Sequence, residues 1–196
     1  MDENSKTIKS YELNAYEYLQ SRSADDEHRF SAWIVETLSK IDKPVKIFEI
    51  GSGPGYTADY LESLGYKVTR SDIVNEFIEY NRNRDKNITI HNVITDEIPG
   101  EYDAILAINV MQHLNKLDMK KALKLIYDGL KKDGMFIFTI TIGDMDEWHD
   151  DKGGARYFAA WQKDILIDLL GSTGLEVIFI KDVGYENWIN IIEKKI

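Results

Sequence analysis

Val45-Lys46-Ile47-Phe48-Glu49-Ile50 is a short apolar run that passes directly into Gly51-Ser52-Gly53-Pro54-Gly55, and Tyr56 to Leu64 then carry a helical pattern. The spacing predicts a buried β-strand, a glycine-rich turn and a helix in immediate succession. Glycines leave the main chain bare, so the turn can approach a flat, polar, nucleoside-like ligand closely. An acid, Glu49, sits just before it.

Two large enzyme classes open in this way, and the glycine spacing separates them. The dinucleotide fingerprint G-x-G-x-x-G needs its third glycine for close packing of helix on strand. Here that position is Tyr56, and the glycines are Gly51, Gly53 and Gly55. Pro54 also removes a backbone N–H that a pyrophosphate would use. The pattern hydrophobic-Glu-hydrophobic-Gly-x-Gly-x-Gly resembles motif I of the class I S-adenosylmethionine-dependent methyltransferases, whose cofactor has no phosphate.

Composition narrows the field further. A chain of 196 residues is expected to form one domain. No apolar run reaches the roughly 18 residues of a membrane span, and Met1-Asp2-Glu3-Asn4-Ser5-Lys6 lacks the apolar core of a signal peptide. The expectation is a cytoplasmic protein with no membrane partner. Cysteine is absent, which excludes disulfides, thiolate metal sites and a cysteine nucleophile. A net charge of −10, with no Lys/Arg run longer than two, argues against nucleic acid as a partner. No metal site is expected, and the oligomeric state is not readable.

The hydrophobic pattern predicts helices at 9–21, 25–41, 55–65, 74–84, 117–131 and 160–171. Strands are predicted at 45–50, 67–72, 87–93, 102–109, 134–142, 175–181 and 186–194. Continuous apolar runs such as Ala104-Ile105-Leu106-Ala107-Ile108 and Met135-Phe136-Ile137-Phe138-Thr139-Ile140 read as strands buried on both faces. Alternation of strand and helix implies a parallel sheet covered on both sides. The last two strands, joined by a short turn at Asp182 to Glu186, pair as an antiparallel hairpin. The expected fold is α/β, a Rossmann-like class I methyltransferase fold: a seven-stranded, mostly parallel sheet with an antiparallel C-terminal hairpin. Its expected parts are an N-terminal helical lid (1–41), a cofactor-binding half (45–142), and a substrate loop with the C-terminal hairpin (143–196).

The resemblance runs from about Lys9 to the C-terminus, and it assigns roles. Glu49, Gly51, Ser52, Gly53 and Gly55 form the cofactor turn. Asp72 ends the second strand, 21 residues after Gly51, where a carboxylate accepts from ribose hydroxyls; an N-cap for the helix starting at Ile73 is the compatible alternative. Asn92 and Val93 stand at the adenine position, although Asn is also a common turn residue. Asn109 and Val110 line the floor of the cofactor pocket. His113 is open to three readings: orienting the cofactor, acting as a base, or packing under the loop. Tyr11, in Tyr11-Glu12-Leu13-Asn14-Ala15-Tyr16-Glu17-Tyr18, is similar to the lid tyrosine of the small-molecule, type 11/12-like branch, which closes over the methionine part of the cofactor. An aromatic stripe gluing the helix to the core is the alternative. Arg156-Tyr157-Phe158 and Asn187-Trp188 fit this branch too.

The reaction implied is in-line displacement of a methyl group from S-adenosylmethionine, leaving S-adenosylhomocysteine. Such an enzyme mostly aligns its reactants, so the acceptor leaves little trace in sequence. One segment bears on it: Asp144-Met145-Asp146-Glu147-Trp148-His149-Asp150-Asp151 follows the fifth strand. Asp144, Asp146 and Trp148, with Arg156 and Tyr157, are the candidate acceptor site, suited to a cationic amine by charge and by the indole face. A carboxylate-held divalent cation and a solvated acidic loop are the other readings. His149 and His113 are the candidate bases, and Gly153-Gly154 a candidate hinge for the loop. The leading expectation is methyl transfer to a small-molecule acceptor. A macromolecular acceptor such as a modified tRNA wobble uridine, a non-catalytic binding module and a dehydrogenase are the alternatives.

Overall fold

The computed structural model describes residues 2–25, 31–42, 44–151, 154–159, 161–182 and 187–196. In chain order its elements are α1 (Glu3–Gln20), α2 (Ala32–Leu38), β1 (Lys46–Glu49), α3 (Tyr56–Ser63), β2 (Lys67–Asp72), α4 (Asn75–Arg82), β3 (Ile88–Ile90) and β4 (Tyr102–Ala107). A single 3₁₀ turn (Met111–His113) precedes α5 (Lys116–Gly129), β5 (Leu130–Thr141), β6 (Glu147–Asp151), β7 (Gly154–Phe158), α6 (Lys163–Gly171), β8 (Leu175–Asp182) and β9 (Trp188–Lys195).

Seven strands form one sheet in the order β3-β2-β1-β4-β5-β9-β8. β1 pairs in parallel with β2 and β4, which pair in parallel with β3 and β5. β9 is antiparallel to both β5 and β8. The expected sheet is therefore present. Alternate residues of each central strand feed opposite faces, and both faces are covered. Phe48, Ile105, Phe136, Phe138 and Ile191 pack with Met119, Leu123 and Ile126 of α5 and Leu166 and Leu170 of α6. Ile47, Ala104, Leu106, Ile137 and Ile192 pack with Ile34 and Leu38 of α2 and Leu61 of α3. Burial on both faces is why these strands read as unbroken apolar runs.

Several boundaries differ from the sequence pattern, each for a local reason. α1 starts six residues earlier than expected, because Asp2 caps it by accepting from the Ser5 N–H at 2.7 Å. β3 stops at Ile90, since the Asn92 amide oxygen and the Asp96 carboxylate turn the chain by accepting from Ile94 and Asn92 N–H groups. β5 begins at Leu130, whose pairing with Tyr102 is followed by a register shift before Met135, over a stretch in which Asp133 holds φ of 63°. Of the expected helix 25–41, α2 covers 32–38, and 26–30 lie outside the described residues. Residue 160, where the 160–171 helix was expected to start, and 183–186 of the last turn also lie outside them.

The expected acidic loop is the largest difference. Residues 147–151 form β6, paired antiparallel with β7 in a separate two-stranded sheet. β7 lies against α1: the Tyr157 N–H donates to Thr7 Oγ1 at 3.1 Å. Gly154 is needed there, because a Cβ would sit 2.3 Å from both Asn14 Nδ2 and Ser10 Oγ. Gly154 is thus a packing glycine, and Gly153, the other half of the expected hinge, lies outside the described residues.

Glu193 breaks the apolar rule of β9. It is fully buried, and neither carboxylate oxygen has a hydrogen-bond partner among the described residues. Burial alone pushes its pKa up to about 8. The folded state then holds a proton that the unfolded chain releases above the ordinary carboxylate range. Stability from this group is full below about pH 4.5, falls by about 1.4 kcal/mol per pH unit as pH rises, and levels off above the folded pKa. Denaturant titrations of wild type and Glu193→Gln between pH 5 and 8 should show this loss in the wild type and not in the variant.

Candidate functional site

The turn after β1 is shaped by three glycines with φ of +66° (Gly51), +52° (Gly53) and +80° (Gly55). Their surroundings differ. A Cβ on Gly51 would lie 2.4 Å from Val110 Cγ2, and one on Gly55 2.3 Å from Asn81 Oδ1. A Cβ on Gly53 would meet nothing within 4 Å, because Gly53 faces open space.

The turn is gripped from beneath by polar groups. The Ser52 N–H donates to Ser71 O at 2.8 Å, tying the turn to β2. Asn81, fully buried in α4, donates to Gly53 O at 2.8 Å. Arg84 donates to Pro54 O at 2.6 Å and lies over the rings of Tyr56 and Tyr80. Asp59 pairs with Arg84 and also with Arg70, at 2.7 Å. Arg70 is buried in β2, and Glu62 takes both of its terminal nitrogens, at 2.6 and 2.8 Å. A buried guanidinium demands such bidentate pairing. Burial works to raise the pKa of Asp59 and Glu62, but Arg84 and Lys86 on Asp59, and Arg70 on Glu62, outweigh it and hold both below the usual range.

Asp72, at the end of β2, faces the turn. Its Oδ2 accepts from Gly53 N–H at 2.8 Å, and its Oδ1 accepts from Ile73 and Val74 N–H at 2.8 and 2.9 Å. Burial raises its pKa against these three bonds. Asp72 is not the helix cap: α4 starts at Asn75, and Val74 is its N-cap. A carboxylate offers about four acceptor sites, so one remains, on Oδ2.

Above the turn opens a cleft of about 1080 Å³, counting its mouth. Tyr11, Glu49, Gly51, Ser52, Gly53, Asp72, Ile73, Asn92, Val93, Asn109, Val110 and His113 all line it, while Gly55 does not. Asn109 holds φ of 59°, and its N–H donates to Thr139 Oγ1 at 2.8 Å. α1 roofs the cleft through Thr7, Ile8, Tyr11 and Tyr18, with Ala15 and Tyr18 packed on Phe77 of α4.

The other candidates stand outside the lining. Asp144 accepts from Gln162, Asp146 accepts from the Tyr157 hydroxyl at 2.6 Å, and His149 lies 3.0 Å from Glu147. Trp148 is half exposed, 5.8 Å from the Tyr157 ring. Arg156, buried behind the roof, donates to the Tyr11 hydroxyl at 2.9 Å. That hydroxyl is 3.2 Å from His113 Nε2, and His113 Nδ1 is 2.6 Å from Tyr157 O.

Sequence reasoning missed His91, which lines the cleft, is 4 % exposed and has no partner for Nε2 among the described residues. Burial lowers its pKa. Its place beside Asn92 was the available signal. It also missed Asn81, whose grip on Gly53 leaves no mark in a helical pattern.

A methyltransferase domain model matches residues 19–188, and the chain belongs to that family. No curated protein matches the sequence. Among solved structures, the Burkholderia thailandensis 1,6-didemethyltoxoflavin-N1-methyltransferase, with 1,6-didemethyltoxoflavin and S-adenosylhomocysteine bound, is similar at TM-score 0.73 and 17% identity. The match covers 98% of this chain and 86% of that one. An S-adenosylmethionine-dependent methyltransferase from Clostridium acetobutylicum gives TM-score 0.68 and 15% identity over 90% of this chain and 94% of its own. One from Methanosarcina mazei gives 0.70 and 14% over 83% and 97%. The shared architecture is the class I methyltransferase fold.

The glycine contacts make a stability prediction. Gly53→Ala should cost about 1–2 kcal/mol, the strain of left-handed backbone on a residue with a Cβ. Gly51→Ala should cost clearly more, because Val110 must also move. Adding Val110→Ala to Gly51→Ala should recover part of that excess, read as a coupling in a double-mutant cycle by thermal unfolding.

Proposed function

We propose that the chain binds S-adenosylmethionine in this cleft and transfers its methyl group to a small-molecule acceptor. The observation that carries the reading is the meeting of bare backbone at Gly53 with the remaining acceptor site of Asp72, under a helix that closes the cleft from above. Among the described lining residues Arg22 is the one cation, which suits a ligand without phosphate.

When bound, S-adenosylmethionine supplies an electrophilic methyl group on a sulfonium. The chain's own residues would hold and align it. Asp72 Oδ2 accepts from a ribose hydroxyl, with Gly51, Ser52 and Gly53 offering close backbone and Glu49 beneath. Asn92 and Val93 flank the adenine, and the buried His91 Nε2 is a further polar atom at that end. Ile73, Asn109 and Val110 shape the walls, and Tyr11 on α1 covers the methionine end. Alignment of two reactants in such an enclosed site can supply on the order of 7–11 kcal/mol, so no protein nucleophile is needed. Support for a nitrogen acceptor comes from two structural neighbours named as N-methyltransferases, one acting on 1,6-didemethyltoxoflavin and one on a glycopeptide. β7, through Arg156 and Tyr157, backs the roof helix and would act on the acceptor through it, with Trp148 beside the Tyr157 ring, Asp146 on the Tyr157 hydroxyl and Asp144 farther off on Gln162.

Calorimetry is expected to give binding of S-adenosylmethionine and S-adenosylhomocysteine and none of NAD. Gly53→Ala should stay folded and lose at least tenfold in affinity, because the new methyl group enters the open space above the turn. Binding of NAD in preference to S-adenosylhomocysteine would overturn the reading.

A further inference from the structure

Resting on that reading, we infer that Arg156, Tyr11 and His113 form a chain that removes a proton from the acceptor, so that the acceptor class is one with N–H or O–H at the reacting atom. The direction of every hydrogen in the chain follows from the chemistry of its members. A backbone carbonyl only accepts, so the 2.6 Å contact with Tyr157 O puts a hydrogen on His113 Nδ1. In the neutral ring Nε2 then carries the lone pair. A guanidinium only donates, so Arg156 fills one side of the Tyr11 oxygen at 2.9 Å. The single Tyr11 hydrogen is left to point at Nε2, 3.2 Å away. Both Tyr11 and His113 line the cleft.

Gln112 supplies a second, independent observation. It is 2 % exposed, its amide nitrogen lies 3.3 Å from His113 Nε2, and its amide oxygen has no partner among the described residues. An unsatisfied oxygen in a buried amide is costly. Once Nε2 gains a proton, rotation of the amide brings that oxygen round to accept from it. The neutral imidazole leaves Gln112 half satisfied, and the imidazolium satisfies it.

The step balances. The X–H bond of the acceptor breaks, its hydrogen passes to Tyr11 Oη, and the Tyr11 hydrogen passes to His113 Nε2. The electron pair stays on X as the nucleophile. Tyr11 remains a neutral phenol, and the imidazolium holds the proton, still donating through Nδ1 to Tyr157 O. Tyr11 is the catalytic residue that touches the acceptor; Arg156 and Gln112 are positioning residues. The charged and titratable groups that share the cleft with His113 are Tyr11 and Tyr18 from α1, Arg22 just after it, Glu49 at the end of β1, Tyr56 at the start of α3, Asp72 at the end of β2 and His91 after β3, with Arg156 of β7 behind Tyr11.

The test reads the imidazole first. Nitrogen NMR of selectively labelled protein, saturated with S-adenosylhomocysteine, should show His113 near pH 8 as the neutral ring with hydrogen on Nδ1. A ring with its hydrogen on Nε2, or one still doubly protonated, has no lone pair for the acceptor's proton and overturns the inference. The second arm is methyl transfer to a primary amine, an aromatic N–H heterocycle, a phenol and iodide. Turnover of a proton-bearing probe should rise with pH through one ionisation. Tyr11→Phe, assayed at saturating S-adenosylmethionine, should lower kcat at least a hundredfold with the acceptor KM within threefold, and Arg156→Lys should retain more activity than Arg156→Met. Iodide as the best acceptor, or Tyr11→Phe with unchanged kcat, overturns the chain. If none of the probes turns over, the imidazole spectrum decides alone. Failure of wild type to bind S-adenosylhomocysteine instead removes the methyltransferase reading beneath it.

Discussion

Everything in the cleft depends on holding a stretch of bare main chain still at the carboxyl end of β1. Glycine permits the shape but does nothing to fix it. Asn81 and Arg84 bind the carbonyls of Gly53 and Pro54 from below, and Asp72 binds the Gly53 N–H from the side. One of these grips is itself held by an ion chain: Arg84 by Asp59, Asp59 by Arg70, and Arg70 by Glu62. The ion cluster is worth little as a source of net stability, since buried pairs roughly repay their desolvation. Its contribution is to orient Arg84 on the Pro54 carbonyl.

The opposite wall is built differently. α1 crosses above the turn and packs through Ala15 and its aromatic residues on α4, while β7 lies along its other flank. Gly154 lets the backbone of β7 come close, and the Tyr157 N–H finds its acceptor in Thr7. The hairpin therefore places Arg156 against Tyr11 and the Tyr157 carbonyl against His113. Two residues adjacent in sequence reach the two members of one hydrogen-bonded pair from behind the roof.

Much of the sheet could be read directly, because strands buried on both faces carry unbroken apolar runs and β1 ends in a glycine cluster. Asp72 was legible because strand ends in a parallel sheet converge on one edge, whereas Asn92, Val93, Asn109 and Val110 came from the family resemblance; all of them line the cleft. What escaped was set by contacts distant in sequence. Asp72 was expected to face the ribose, but its bonds to Ile73, Val74 and, back along the chain, Gly53 could not be read from the sequence. The acidic run looked like a loop because four polar residues around a single Trp148 leave little hydrophobic alternation, whereas pairing with Gly154–Phe158 makes it a strand. Nothing local marks Asn81 or the partners of His113.

We propose that this edge of the sheet holds S-adenosylmethionine between the glycine turn and the roof helix. A crystal structure with S-adenosylhomocysteine tests it most directly. The expected result is a ribose hydroxyl within hydrogen-bond distance of Asp72 Oδ2, adenine beside Asn92 and Val93, and the amino-acid end beneath Tyr11. A ligand seated elsewhere, or one whose ribose makes no contact with Asp72, would contradict it.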